Sequence, residues 1–156
     1  MDYLKCNVDA TVFASVGKVR AGGVIRDHEG KALFVCQISF NYVPDAAITE
    51  AISFREVLSW LKMKALHNII FESDSLVLVQ AIHGSSEDLS YFGSLVFDYK
   101  VLHRELFNCF VVFARRLANC VAHLLATSAI SYPDLKDWGP FPPNFVLPIV
   151  FEDLQW

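Results

Sequence analysis

From Lys5 to Phe13 apolar and polar residues alternate: Cys6, Val8, Ala10 and Val12 fall on one face, Asn7, Asp9 and Thr11 on the other. That two-residue period predicts a strand. Gly17 and Lys18 suit a turn, and Ala21-Gly22-Gly23-Val24-Ile25-Arg26 continues as a second strand. Asp27-His28-Glu29-Gly30 then reads as a hairpin loop before a third strand, Ala32 to Phe40. Short hairpins make these an antiparallel meander. The pair Gly22-Gly23 weakens a strand unless something must approach the backbone closely.

Beyond the meander the period becomes helical. Pro44-Asp45 opens a helix to about Ala65, with Ala47, Ala51, Phe54, Leu58 and Leu61 as its core-facing stripe. Glu50 shares nearly that stripe with Phe54, Val57 and Leu61, so it points toward the sheet, unlike Arg55, Glu56, Lys62 and Lys64. The run Ile69-Ile70-Phe71 is a buried strand ending at Asp74, and a short helix follows to about His83. Gly84 to Ser90 is a polar loop, a helix runs from Phe92 to Leu106, and a strand from Cys109 to Ala114. The last helix begins near Leu117, with Ala118, Val121, Ala122, Leu125, Ala126 and Ala129 as its apolar stripe. Asn119 and His123 lie one turn apart on another face of it.

From Tyr132 onward prolines and aromatics, Trp138 and Trp156 among them, show no clear period. The chain therefore divides into a domain over 1–130 and a Pro- and aromatic-rich tail over 131–156, expected to pack irregularly on the domain. The order β-β-β-α-β-α-α-β-α predicts an α/β fold. Its mixed sheet has five strands, three antiparallel and two parallel, flanked by helices.

Composition narrows the function classes. At 156 residues the chain is long enough to bury roughly two thirds of its unfolded surface in one domain. No apolar run reaches the roughly 18 residues that a membrane span needs. Nothing near Met1 reads as a secretion signal, so an intracellular location, nucleus or cytoplasm, and a monomer are expected. Cys6, Cys36, Cys109 and Cys120 lack C-x-x-C spacing and read as small buried hydrophobes. The formal charge of −4 argues against a large electrostatic grip on nucleic acid. Local basic groups remain: Lys18, Arg20, Arg26 and Lys31 around the hairpin, and Arg115-Arg116 at the end of a strand.

Three carboxylates stand where chemistry is expected. Asp74 ends a strand at the crevice where open α/β sheets bind ligands. Asp9 lies inside an apolar strand, where an acid needs a partner. Glu50 lies on the apolar side of a helix. Each has a blander reading, since Asp74 could cap the following helix and Glu50 could complement a helix dipole. Three together point to a metal site.

With these acids in place the chain resembles the ribonuclease H type-1 family, in particular its plant retroelement-derived branch. The strings that carry the resemblance are Lys5-Cys6-Asn7-Val8-Asp9-Ala10, Ala21-Gly22-Gly23-Val24-Ile25-Arg26-Asp27, Thr49-Glu50-Ala51, Phe71-Glu72-Ser73-Asp74-Ser75 and Arg115-Arg116-Leu117-Ala118-Asn119-Cys120-Val121-Ala122-His123. They occur in the family's order from residue 5 to about 130. The resemblance implies a ribonuclease H-like fold and an endonuclease that cuts the RNA strand of an RNA–DNA hybrid by two-metal hydrolysis. Mg²⁺ would be the cofactor, with Mn²⁺ as a substitute.

Under that resemblance Asp9 would bridge two ions and Glu50 and Asp74 would hold one of them. His123 stands where catalytic relatives carry an aspartate, which makes it a candidate fourth catalytic group. Asn119, Arg115, Arg116 and Gly22 are the candidate nucleic-acid contacts. A neutral imidazole suits manganese or zinc better than magnesium. The competing expectation is a domesticated nucleic-acid-binding or interaction module with little catalysis, which the acidic balance and the missing fourth acid favour.

Overall fold

The computed structural model describes residues 3–128 and 134–152. The meander forms as its alternation predicts, with β1 (Leu4–Phe13), β2 (Lys18–Arg26) and β3 (Ala32–Asn41) paired antiparallel. Helix α1 (Ala46–Met63) starts where Asp45 accepts a hydrogen bond from the Ile48 N–H at 2.9 Å. It is followed by β4 (Ile69–Ser73), α2 (Leu76–His83), α3 (Tyr91–Glu105) and β5 (Phe110–Phe113). A 3-10 turn (Arg116–Asn119) leads into α4 (Cys120–Thr127). Strands β4 and β5 add parallel to β1, so the meander and the crossover units share one sheet.

That sheet has six strands rather than the expected five, in the order β5-β4-β1-β2-β3-β6. The sixth, β6 (Leu135–Gly139), pairs antiparallel with β3, and α5 (Leu147–Glu152) follows it. The segment expected to pack irregularly thus completes the sheet edge. Contacts distant in sequence hold it there. The Trp60 indole N–H donates to Asp137 Oδ2 at 3.0 Å, and Lys64 forms an ion pair with the same carboxylate. A five-residue strand of Leu, Lys, Asp, Trp and Gly carries no alternation that would announce it. Ala129, at the end of the predicted apolar stripe, and Trp156 lie outside the described residues.

Both faces of the central strands are covered. Cys6, Val8 and Ile25 pack with Phe54, Trp60 and Phe71 beneath α1, whereas Val24 and Val35 pack with Val121, Leu125 and Val146 beneath α4. Asn7 and Asp9, on the face opposite Val8, are therefore buried as well. The Gly22 signal has a cause here. A Cβ at Gly22 would lie 2.2 Å from the Ala122 carbonyl oxygen and 2.7 Å from Leu125 Cβ, so α4 seats on this glycine.

The same covering removes half of the expected basic cluster from the surface. Arg20 and Arg26 are buried; Arg20 lies 4.1 Å over the Phe13 ring and donates to the Ser128 carbonyl. Cys6, Cys36 and Cys109 are buried free thiols, as their strand positions predict, and Cys120 is half-buried and free. Among the described residues no helix is long and apolar enough to cross a membrane.

Candidate metal centre

Register brings the first two acids together. Parallel pairing sets Cys6 opposite Phe71 and Asn7 opposite Glu72, and the same offset carried two residues further sets Asp9 level with Asp74. Asp74 follows the carboxyl end of β4, and Asp9 stands beside it in the middle of β1. Helix α1 brings Glu50 to that point from the other layer. One oxygen from each of Asp9, Glu50 and Asp74 lies within 4.8 Å of the others.

Local structure sets the blander readings aside. Ser75, not Asp74, caps α2, its side chain accepting from the Leu78 N–H at 3.4 Å. Glu50 lies beyond the first turn of α1, which holds no acid. Neither carboxylate is placed for helix termination.

Burial and mutual repulsion set the charge state. Glu50 is pushed up to about 8, first by burial and then by the charges of Asp9 and Asp74, with Arg116 opposing. Asp9 is also raised, by burial above all, with the Asp74 charge adding and its bond to His123 opposing. Two positive or polar groups flank the acids. Nδ1 of His123 lies 2.6 Å from Asp9 Oδ2, and Nε of Arg116 lies 3.4 Å from Asp74 Oδ2. His123 is about half exposed and sits outside the group of three oxygens.

The other sequence candidates are dispersed. Arg115 and Arg116 are exposed, and Arg116 reaches the site. Asn119 is buried, its side-chain amide donating to the Val8 carbonyl at 2.7 Å, which ties the start of α4 to β1. Gly22 lies buried beneath α4. Asn119 and Gly22 thus hold the scaffold around Asp9, whereas Arg115 and Arg116 present surface.

One set of residues went unread in the sequence. Asn7, one strand step below Asp9, donates to Glu72 Oε2 at 2.7 Å and to the Ala118 carbonyl at 3.2 Å. Lys5 pairs with the other oxygen of Glu72 at 3.1 Å. This network fastens β1 to β4 and to the 3-10 turn before α4, just beneath the acids. Its only sequence signal is that Asn7 shares the face of Asp9.

Three carboxylates at one point form a hard oxygen donor set, the chemistry that suits Mg²⁺, Mn²⁺ or Ca²⁺. The set is net negative even with Arg116 beside it, so a divalent cation fits it electrostatically.

Comparison with known proteins agrees with this architecture. A family model described as reverse transcriptase-like matches residues 7–129. No curated protein matches the chain in sequence. Among solved structures, ribonuclease H1 from the halophilic archaeon Halobacterium salinarum NRC-1 superposes with a TM-score of 0.72 at 14% identity, over 81% of this chain and 96% of that one. LC11-RNase H1, isolated from compost by a metagenomic approach, gives 0.70 at 19% identity, over 83% and 96%. The same enzyme in complex with an RNA/DNA hybrid gives 0.68 at 19% identity, over 81% and 96%. With a family match over most of its length and this sheet order, the chain belongs to the reverse transcriptase-like family and has a ribonuclease H-like fold.

Proposed function

We propose that the chain is a metal-dependent endonuclease of ribonuclease H type that cuts the RNA strand of an RNA–DNA hybrid. The observation that carries this reading is the convergence of Asp9, Glu50 and Asp74 within 4.8 Å, where β4 ends beside the middle of β1. The LC11-RNase H1 relative solved with an RNA/DNA hybrid supports the substrate class. The run Arg115 to His123, with histidine in place of the fourth acid, supports the plant retroelement-derived branch.

Asp9, Glu50 and Asp74 would hold Mg²⁺ or Mn²⁺. Cations bound there would stabilise the attacking and leaving oxygens of an in-line displacement at phosphorus. The chain's own residues do the positioning. Strand register fixes Asp9 against Asp74, and the network of Lys5, Asn7 and Glu72 keeps that register from slipping. His123 orients the Asp9 carboxylate through Nδ1. Glu50, raised to about 8, would give up its proton to a cation held there. Arg115 and Arg116, exposed at the rim, meet the phosphate backbone of the incoming strand.

His123 also favours a specific metal preference. Nitrogen ligands are poorly accepted by Mg²⁺ and better by Mn²⁺. Single-turnover cleavage of a labelled hybrid should be slow in Mg²⁺ and faster in Mn²⁺, and His123→Asp should raise the Mg²⁺ rate. Asp9→Asn should lower cleavage by more than about 100-fold, since even loss of a residue supporting a metal ligand costs about 10–100-fold. Equal rates for wild type and His123→Asp in Mg²⁺ would remove His123 from the reacting centre. Cleavage in neither metal, with hybrid binding retained, would transfer the assignment to a binding module.

A further inference from the structure

At the opposite side of β4 from β1, strand β5 ends the sheet. The Ala114 N–H donates to the Ser73 carbonyl of β4, so strand alternation turns the N–H and C=O of Cys109 and Val111 outward. Those outward carbonyls are already taken. His83 Nε2 donates to the Val111 oxygen at 2.8 Å, and His103 Nε2 donates to the Cys109 oxygen at 2.7 Å. Two imidazoles therefore close these two acceptors and leave the neighbouring N–H of Val111 behind.

A cavity of about 380 Å³ lies at this edge, between the end of α2, α3 and β5. Lys100, Arg104, His83 and His103 line it, and no carboxylate does. In a chain of net charge −4 that is a local inversion of sign. The acids of α3 are engaged on its other side, Asp98 by Arg55 and Glu105 by Lys62. Lys100 donates to the Gly84 carbonyl at 2.7 Å, which fixes its ammonium at the mouth, and Arg104 makes no ion pair among the described residues.

Tyr99 supplies the second, independent observation. It is 3% exposed, it lines the same cavity, and its hydroxyl has no hydrogen-bond partner. Its ring is held between Phe54 and His103, at 5.4 and 5.5 Å between centroids. A buried hydroxyl without a partner is unfavourable until an acceptor arrives.

We propose that this cavity is an anion-binding site, distinct from the carboxylate centre, that takes the phosphate or carboxylate of a small molecule. Lys100 and Arg104, an unpartnered phenol and an outward N–H at Val111 all offer donors, and an anion accepts without donating. The apolar body of such a molecule lies against Ile82 and Phe110, which complete the wall. The volume suits a compact organic anion. None of the lining residues belongs to the metal centre.

The test is a titration of the full chain with phenyl phosphate and with benzoate, in EDTA so that the carboxylate centre contributes only repulsion. The imidazole signals of His83 and His103 are followed by NMR. Saturable binding is expected. Arg104→Gln and Tyr99→Phe should each weaken it by about 10- to 100-fold, the range of hydrogen bonds to a charged group. Tyr99→Phe should raise the melting temperature slightly, because it removes a buried hydroxyl that has no partner. Tighter phenyl phosphate assigns a phosphate ligand and tighter benzoate a carboxylate. Failure of both to saturate, or equal binding by wild type and the two variants, would overturn the site. A lower melting temperature for Tyr99→Phe would also overturn it, by revealing a partner already in place.

Discussion

Asp137 on β6 and Glu50 on α1 are both partly buried acids, and their surroundings drive them in opposite directions. Burial pushes Asp137 up, but the Lys64 ammonium, the Trp60 indole and the Gly139 N–H outweigh it and hold the carboxyl below its ordinary range. Glu50 finds two more carboxylates instead, and is pushed up to about 8 by burial and by their charge. An acid recruited to fasten a strand is surrounded by donors. Acids that outnumber the donors around them repel one another, and Glu50 relieves that repulsion by keeping its proton until a cation takes its place.

The largest expected difference is in pH dependence. Folded Glu50 keeps its proton up to about 8, whereas the unfolded chain releases it near 4.5. Between these values the folded state binds the extra proton, so its contribution is fully present below 4.5 and is lost as pH rises through 8. Stability of the metal-free protein should fall across that window, by no more than about 1.4 kcal/mol per pH unit from this group. Asp9, raised in the same sense, adds to the slope. Denaturant melts across the window should show a flatter curve for Glu50→Gln. An unchanged slope would mean that Glu50 ionises freely and that the acids do not repel.

A change at the other acid should act oppositely. Asp137→Ala leaves Lys64 and the Trp60 indole without their acceptor and loosens β6, so it should destabilise by about 1–3 kcal/mol at neutral pH. No loss in urea melts would mean that β6 is held by backbone pairing alone.

A smaller effect, of opposite sign, is expected at Asp74. Removing one carboxylate charge from this crowded cluster should stabilise the metal-free protein by about 0.5–2 kcal/mol, as for other sites kept for function rather than stability. Its contact with the largely exposed Arg116 is a surface pair and subtracts little. If Asp74→Asn instead destabilises the protein in EDTA, the aspartate is structural and the contrast with Asp137 fails.

Much of this was legible because it is periodic. Alternation around Asp9, the 4-3-4 stripe around Glu50 and the abrupt strand-to-helix change at Asp74 are local signals, and each marks an acid where a solvated carboxylate is out of place. What sequence missed depends on contacts across the fold. Arg20 and Arg26 read as surface cations because periodicity cannot tell that α4 covers the second face of β2. Strand β6 hid in a proline-rich stretch because Trp60 and Lys64, more than 70 residues away, recruit Asp137. Asn119 and Gly22 looked like ligand contacts, and their burial follows from the close seat of α4 on β2.

Binding of Mn²⁺ and Mg²⁺ at pH 7, followed by calorimetry in two buffers of different ionisation enthalpy, tests the central claim most directly. Since Glu50 titrates near 8, a cation must displace its proton, and binding should release close to one proton per site. At about 100 times the dissociation constant the metal should also stabilise the fold by roughly 2.7 kcal/mol. Both effects should vanish in Asp9→Asn. A wild-type protein that shows neither metal-linked heat nor metal-linked stabilisation, or an Asp9→Asn variant that keeps both, would contradict a metal centre at Asp9, Glu50 and Asp74.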